Sequence, residues 1–341
     1  MSNPWEQIDW GSLERLRQGF LNPEAGLDDY WRSDEDLYAY DQTFAQRIGW
    51  KWDYVLQQLR NRGWTPPQAE VFDWGCGSGI AHRSFFRAYP QSLANGLGIW
   101  DRSALATRYA AQTARKFFPH LSCRVSAPSA GGLLLISHVL TELGEAQLEE
   151  LFPIIRAASA VICVEPGTYD ASRRLIALRE RLRGESEFQV IAPCVHGCAC
   201  GLIHEGHASD WCHFFAPPPS AIFTDPDWMR FGQAAGIDLR SLPLSYLVLD
   251  RRPAVALPSE CVRLIARPRV YKGYALAATC SSQGVFERRI SKRTLPDVYK
   301  ACKKDQLESL AAMDCNENEV LRLDSWSAQP GGQESGRPPS T

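Results

Sequence analysis

The spacing of apolar side chains changes character several times along the chain. Trp50, Trp52, Val55, Leu56 and Leu59 recur at near-helical spacing, so residues 1–66 read as a helical region with one face on a core. Thr65-Pro66-Pro67 punctuates its end. From 70 to 192, short apolar runs alternate with amphipathic stretches. Strands are expected at 70–74, 96–100, 132–138, 160–165 and 188–192. The intervening helices run through Phe86 and over 105–118, 145–157 and 171–182. This alternation predicts βαβ units and a parallel sheet. Residues 193–240 break the pattern, being rich in Cys, His and Pro, and read as an insertion with little regular structure. A strand resumes at 245–250. Three strands at 262–266, 274–279 and 284–290 predict a small barrel or sheet, followed by a helix over 294–312. Residues 324–341, rich in Ser, Gly, Pro and Gln, are expected to be disordered. The expected units are therefore a helical region (1–66), a Rossmann-like domain (67–192, completed by 241–252), a Cys-rich insertion (193–240), a basic β unit (253–304), and a helix end with a tail (305–341).

One junction carries recognisable chemistry. Val71-Phe72-Asp73-Trp74 runs into Gly75-Cys76-Gly77-Ser78-Gly79 and then a helix. Glycines there permit a tight turn and let backbone amides face a ligand at a helix N-terminus. The G-x-G-x-G spacing differs from the dinucleotide pattern. Asp73 precedes the loop and Asp101 ends the next strand, where a carboxylate can accept hydrogen bonds from ribose hydroxyls. The arrangement resembles class I S-adenosylmethionine methyltransferases. The resemblance implies a Rossmann-like α/β fold with that cofactor held by Asp73, Gly75, Gly77, Gly79 and Asp101. Cys76 reads as a small neutral filler between glycines. The reaction is less legible. Methylation of exocyclic amines commonly goes with an Asp/Asn-Pro-Pro-aromatic run after the strand at 132–138. Ser137-His138-Val139-Leu140-Thr141-Glu142-Leu143 stands there instead, with no Pro-Cys pair for covalent attack on a pyrimidine. His138 and Glu142 read equally as bases or orienters and as structural residues. No catalytic residue is assigned.

Charge adds a polarity that the net value of −2 conceals. Residues 1–70 carry 7 basic and 12 acidic residues, whereas residues 251–304 carry 13 basic and 3 acidic, a local +10. Such a segment can neutralise phosphates and release counterions, so RNA is the expected partner. No apolar run approaches the ~20 residues of a membrane helix. The first residues lack the basic start of a targeting segment, so a cytoplasmic place is expected. The length leaves room for two or three compact units. Oligomeric state is not readable.

The 11 cysteines do not read as a disulfide framework in such a compartment. Four of them, with four of the seven histidines, crowd into residues 194–213. Clustered thiols suit soft metals, leaving zinc and iron–sulfur clusters as candidates. Ala192-Pro193-Cys194-Val195-His196, Cys200-Gly201-Leu202 and Asp210-Trp211-Cys212-His213-Phe214 then resemble the Rsm-twenty-two type of methyltransferase-like proteins tied to the small ribosomal subunit. Ser137 to Leu143, Val164-Glu165-Pro166-Gly167-Thr168 and Ser245-Tyr246-Leu247 match as well, and the resemblance runs from about residue 40 to 305. It implies a [4Fe–4S] cluster on Cys194, Cys200, Cys212 and, from the following β unit, Cys280. Val195 and Gly201 stand where the family usually has Pro, and Cys198 is extra, a competitor for Cys200. His196, His204, His207 and His213 read as neighbours of the site or surface residues. The function implied is small-subunit assembly or translation on rRNA, with methyl transfer. The alternatives are an RNA methyltransferase unrelated to assembly and a zinc-stabilised RNA-binding module with a vestigial cofactor site.

Overall fold

A strand buried on both faces must be apolar throughout, and Val71–Trp74 (β1) meets this with a single polar residue, Asp73. The computed structural model describes residues 4–21, 31–128, 130–185 and 187–328. Among the described residues three α-helices precede β1: α1 (Trp10–Leu21), α2 (Asp34–Gln42) and α3 (Phe44–Asn61). After it come α4 (Ile80–Ala88), β2 (Leu97–Trp100), α5 (Ala104–Phe117), β3 (Cys123–Val125), β4 (Leu133–Ser137), α6 (Glu145–Ala157), β5 (Ala160–Pro166), α7 (Tyr169–Glu185) and β6 (Gln189–Ala192). Then follow β7 (Phe214–Ala216), α8 (Ala221–Thr224), α9 (Pro226–Ala235) and β8 (Leu242–Asp250).

The sheet order is β3-β2-β1-β4-β5-β8-β6, with β7 beside β8. Strand β8 runs antiparallel to both β5 and β6. The α/β fold with a central sheet is thus present, and the sheet is mixed rather than purely parallel. Strand order reverses between β1 and β4. Ligands of open α/β sheets bind at such a switch point, outside the carboxyl ends of the strands. Among the described residues no helix is long and apolar enough to cross a membrane.

The chain then forms β9 (Cys261–Tyr271), β10 (Tyr274–Ser281), β11 (Gly284–Ser291), α10 (Pro296–Lys303), β12 (Leu310–Asn316) and β13 (Glu319–Ser325). These strands close a barrel in the order β10-β11-β13-β12-β9. Only β11 and β13 pair in parallel. Five strands in this order, with a helix between the third and fourth, make an OB-type barrel. Val262, Leu264, Ala275, Ala277, Ile290 and Val320 fill its interior.

Three expectations are corrected here. The helix expected over 294–312 is α10 alone. Residues 310–325, expected to be helix end and tail, are instead the two strands that close the barrel; residues 329–341 of the expected tail lie outside the described residues. Leu-Ala-Ala-Met-Asp-Cys-Asn has a helix-like composition, and barrel closure overrides it. The closing strands also change the electrostatics. Residues 305–325 hold six carboxylates and one arginine, which lowers the +10 of residues 251–304 to +5 for the whole barrel. Finally, the irregular stretch is only 193–213. Beyond it, α9 packs Trp228 and Phe231 against the N-terminal region, with the Trp5 ring edge-on to Trp228 at 4.9 Å.

Helix α2 is fixed over the sheet by a buried ion pair. Arg83 of α4 donates through Nη1 to Asp41 Oδ2 at 2.9 Å and through Nη2 to Oδ1, with both side chains almost fully buried. Removing one member of such a pair strands the other charge, typically at about 3–5 kcal/mol. Asp41→Ala is therefore expected to lower the urea midpoint by that equivalent. The apolar pair Asp41→Leu/Arg83→Met should recover most of the loss. Equal midpoints for Asp41→Ala and wild type would show that the pair does not hold α2.

Candidate functional site

The glycine loop sits at the switch point. Gly75, Gly77 and Gly79 all have positive φ, of 69°, 50° and 86°, which β-carbon-bearing residues rarely adopt. Sterics separate their roles. A Cβ on Gly75 would lie 2.7 Å from Val139 Cγ2, and one on Gly79 2.8 Å from His82 Nε2. One on Gly77 would meet nothing within 4 Å, so this residue faces open space. Gly77 N–H donates to Asp101 Oδ2 at 2.9 Å, while Ser103 N–H donates to Oδ1 at 2.9 Å. Asp101 thereby joins the loop to the end of β2, and burial raises its carboxyl. Asp73 is placed differently. It is fully buried beneath the loop, its Oδ2 2.8 Å from His82 Nδ1. Asp73 Oδ1, His82 Nε2 and Ser78 Oγ are buried with no hydrogen-bond partner. Sequence reading missed His82, whose only signal was its place one turn into the following helix.

A second polar cluster surrounds the carboxyl ends of β4 and β5. His138 directly follows β4 with φ 56°, a left-handed conformation costly for a residue with a Cβ, and its N–H donates to Val164 O at 2.9 Å. Glu165 on β5 is fully buried. Its Oε1 accepts from Val139 N–H at 3.0 Å and Leu140 N–H at 3.1 Å, so it shapes the turn that carries His138. Trp52 Nε1 of α3 donates to Ser137 Oγ at 2.8 Å, fastening α3 to the same corner. Lys51 and Arg47, one turn apart on α3, face this corner electrostatically. His138 Nε2, Glu165 Oε2 and Arg47 Nε are shielded from solvent and unpartnered. Burial, then repulsion from Lys51 and Arg47, holds the His138 imidazole neutral, well below its usual range. Burial pushes Glu165 up to about 7 and Lys51 down to about 7. Glu142 opens to solvent at the mouth, within electrostatic reach of Asp101 and Glu165. Tyr40 of α2 covers this side, near Glu142 and Asp101. Titratable groups poised near neutrality in a cleft mark candidate chemistry. Lys51, Arg47 and Glu165 gave no motif signal, because tertiary packing alone brings them together.

The cysteines converge from two parts of the fold. Cys194 and Cys200 lie in the irregular stretch, Cys212 precedes β7, and Cys280 is on β10. Each of Cys200, Cys212 and Cys280 lies within electrostatic reach of Cys194 and of at least one other member of the set. Burial raises all three thiols, Cys280 to about 12. Cys198, by contrast, is exposed. Arginines hold the irregular backbone: Arg62 donates to Cys194 O at 2.7 Å, Arg173 to Leu202 O at 2.7 Å, and Arg179 to Cys198 O at 2.8 Å. Cys280 Sγ is 3.6 Å from His196 Nε2. His213 stacks on Trp211, and His207 pairs with Asp210 at 2.8 Å.

Among the described residues no three Cys, His, Asp or Glu side chains stand close enough to hold one metal ion. Zinc takes four ligands tetrahedrally, with Zn–S bonds of about 2.3 Å. A cubane takes one thiolate per iron and spaces its ligands more widely. Two features of the surroundings bear on such a group. Arg179 and Arg263 are near enough to the thiols to favour their ionised form. Arg179 Nε, Arg263 Nη2 and His196 Nδ1 are buried there without partners.

Glu165 yields a pH test. It ionises near 7 when folded and near 4.5 when exposed, so its contribution to stability is present below pH 4.5 and lost as pH rises through about 7. Glu165→Gln keeps the acceptor for Val139 and Leu140 but not the titration. Losing the attraction to Lys51 works partly against the gain. The variant is expected to gain roughly 1–2 kcal/mol relative to wild type between pH 4.5 and 8, read from urea midpoints. Parallel pH profiles would contradict this.

No protein of curated function matches the sequence. The plantazolicin methyltransferase BamL, solved with S-adenosylhomocysteine, aligns at 12% identity over 73% of this chain and 98% of its own, with a TM-score of 0.37. An rRNA methylase from Escherichia coli aligns at 16% identity over 54% of this chain and 70% of its own, with a TM-score of 0.33. Likenesses this slight say nothing about chemistry. The family described as mitochondrial small ribosomal subunit Rsm22 matches residues 102–307. That stretch starts just beyond Asp101, so it leaves out the glycine loop, and it includes all four converging cysteines. With three-fifths of its length matched, the chain belongs to the Rsm22 family.

Proposed function

We propose that this protein is an S-adenosylmethionine-dependent methyltransferase-like factor acting in the cytoplasm on the rRNA of the small ribosomal subunit during its assembly. The observation that carries the reading is the glycine loop at the switch point, tied by Gly77 to Asp101 and open only at Gly77. Gly75, Gly77, Gly79 and Asp101 would hold the cofactor, with Asp73 supporting the loop from beneath. The unpartnered Ser78 Oγ supports a polar ligand there. The bound cofactor supplies a methyl group on a sulfonium, an electrophile. The neutral His138 imidazole accepts the proton that the attacking nitrogen or oxygen releases. Glu165 keeps that imidazole in place through the Val139 and Leu140 amides, and Lys51 balances its charge. Tyr40 and α2 keep water from this corner. Family membership supports the ribosomal partner.

Cys194, Cys200, Cys212 and Cys280 would hold a [4Fe–4S] cluster, which would supply a covalent cross-link between the irregular stretch and the barrel. Binding energy then becomes folding energy. Zinc on the same thiols, stabilising an RNA-binding module, is the competing reading.

Calorimetry with S-adenosylmethionine is expected to show binding by wild type and none by Gly77→Arg, which fills the one open position of the loop. No heat and no thermal shift from wild type at millimolar cofactor would sink the reading. His138→Ala should keep cofactor binding while methyl incorporation into small-subunit rRNA falls about 10²–10⁴-fold.

Anaerobic purification provides the test of the cluster. Wild type should be coloured and contain iron and sulfide. Serine at 194, 200, 212 or 280 should release the metal, and Cys198→Ser should retain it. A colourless wild type with stoichiometric zinc would overturn the assignment.

A further inference from the structure

We propose that the free end of the OB-type barrel binds a single strand of RNA, with a base stacking on the exposed Tyr271 ring, which Tyr274 backs and Arg289 closes on the far side. This deepens the rRNA reading above and rests on it for the choice of RNA. In barrels of this topology the outer face of the second and third strands, flanked by the first and fourth hairpin loops, is the place where an oligonucleotide can lie. Here that face belongs to β10 and β11.

Half of the face is already covered. Gly201 of the irregular stretch presses so closely that a Cβ there would lie 2.9 Å from Val285 N. Ala278 and Val285 pack into the main core, and Cys280 points into the cysteine group. The other half is open. Tyr271 and Tyr274 face each other across the two-residue Lys272-Gly273 turn, rings stacked at 5.0 Å and 16°. Tyr271 is 42% exposed. The next position along β10, Leu276, is flanked by Arg289 of β11 and Arg269 of β9.

The platform is rigid and cationic. Tyr299 of α10 donates its hydroxyl to Tyr271 O at 2.7 Å, and Lys292 N–H donates to Gly273 O at 2.9 Å. The hairpin turn is thereby pinned on both sides. The Arg289 guanidinium lies 4.8 Å from the Tyr274 ring centroid. On the other flank, Arg288 donates to Asn318 Oδ1 at 3.2 Å, which brings the β12–β13 turn to the same end. Lys272 and Lys292 stand at the turn itself. Carboxylates are present too: Glu287 pairs with Arg269, and Glu319 with Arg289 at 3.3 Å. Those pairs hold the arginines in register beside the rings and leave the lysines for phosphates.

Ring faces accept any base and no duplex, because paired bases are already stacked on each other. One open ring and a half-covered face leave space for only a few nucleotides. Stacking, rather than net charge, then supplies most of the affinity.

The test uses the full chain and fluorescently labelled oligouridine of twelve nucleotides, read by anisotropy. Tyr271→Ala/Tyr274→Ala should bind about 10- to 100-fold more weakly. Tyr271→Phe/Tyr274→Phe should bind like wild type, since stacking needs the ring and not the hydroxyl. Lys272→Glu/Lys292→Glu should weaken binding and flatten its salt dependence. A twelve-base-pair RNA duplex should bind no more weakly after the alanine substitutions. Unchanged oligouridine affinity in the double alanine variant overturns the proposal, as does a clear preference for oligothymidine. A contact with small-subunit particles that depends on the tyrosines yet survives ribonuclease would assign the face to protein and overturn it as well. A wild type that binds S-adenosylmethionine but not oligouridine defeats this site alone. One that binds oligouridine but not the cofactor defeats the methyl-transfer reading and leaves the site standing.

Discussion

Arg263 is the side chain on which the arrangement of units depends. It extends from β9, and only 1% of it reaches solvent. Its Nε donates to Pro193 O at 2.8 Å, and its Nη1 to Gln58 Oε1 and Ser309 Oγ, each at 2.9 Å. Its guanidinium lies 5.8 Å from the centroid of the Phe214 ring. Those partners belong to α3, the irregular stretch, β7 and the barrel. A guanidinium cannot lose its charge in a protein, so burying it is tolerable only when donors find acceptors together. The barrel therefore cannot shift on the sheet domain without stranding a charge. Tyr54 adds a second fastening across the same seam, its hydroxyl 2.9 Å from Ser309 Oγ.

The same physics runs through the irregular stretch. Residues 194–213 have few backbone partners of their own, yet buried carbonyls must be satisfied. Arg62, just past α3, and arginines of α7 meet that need, and the serine hydroxyls of Ser172 and Ser245 donate to Cys212 O at 2.9 and 2.8 Å. Side chains thus position the thiols where a ladder would leave no freedom to aim them. The cost is a concentration of buried polar atoms without partners, both here and beside His138. Structures keep such atoms where a ligand or a reaction uses them.

Much of this was legible in the sequence, for identifiable reasons. Alternating apolar runs gave the sheet domain, because strands buried on both faces and amphipathic helices have opposite periodicities. Gly75, Gly77 and Gly79 were readable because positive φ restricts residue type. Three kinds of feature were not. Strand β3 is an exposed edge of three residues with no apolar run to announce it. Strands β12 and β13 are acidic and half-exposed, so only barrel closure defines them. Lys51, Arg47 and Glu165 lie far apart in sequence from the residues they serve, and charge type alone does not indicate burial. Asp73 shows the limit most clearly: its position before the loop was informative, but its partner, His82, was not.

Barrel closure also changes how the charge of the C-terminal half must act. Read as a segment, residues 251–304 suggest a strongly basic surface that draws nucleic acid from a distance. Folded, the acidic residues of β12, β13 and the preceding loop sit on the same barrel, and much of the arginine content is taken up in ion pairs or in backbone carbonyls. Screening over about 10 Å at 0.1 M salt further weakens what long-range field remains. A surface of this kind discriminates by short-range contact: rings that stack, a turn held rigid by Tyr299, and lysines placed within reach of a phosphate. Such contact is selective for conformation, because only an unpaired strand offers its bases. The barrel is thus suited to reading the local structure of a folding RNA more than to gathering RNA in general.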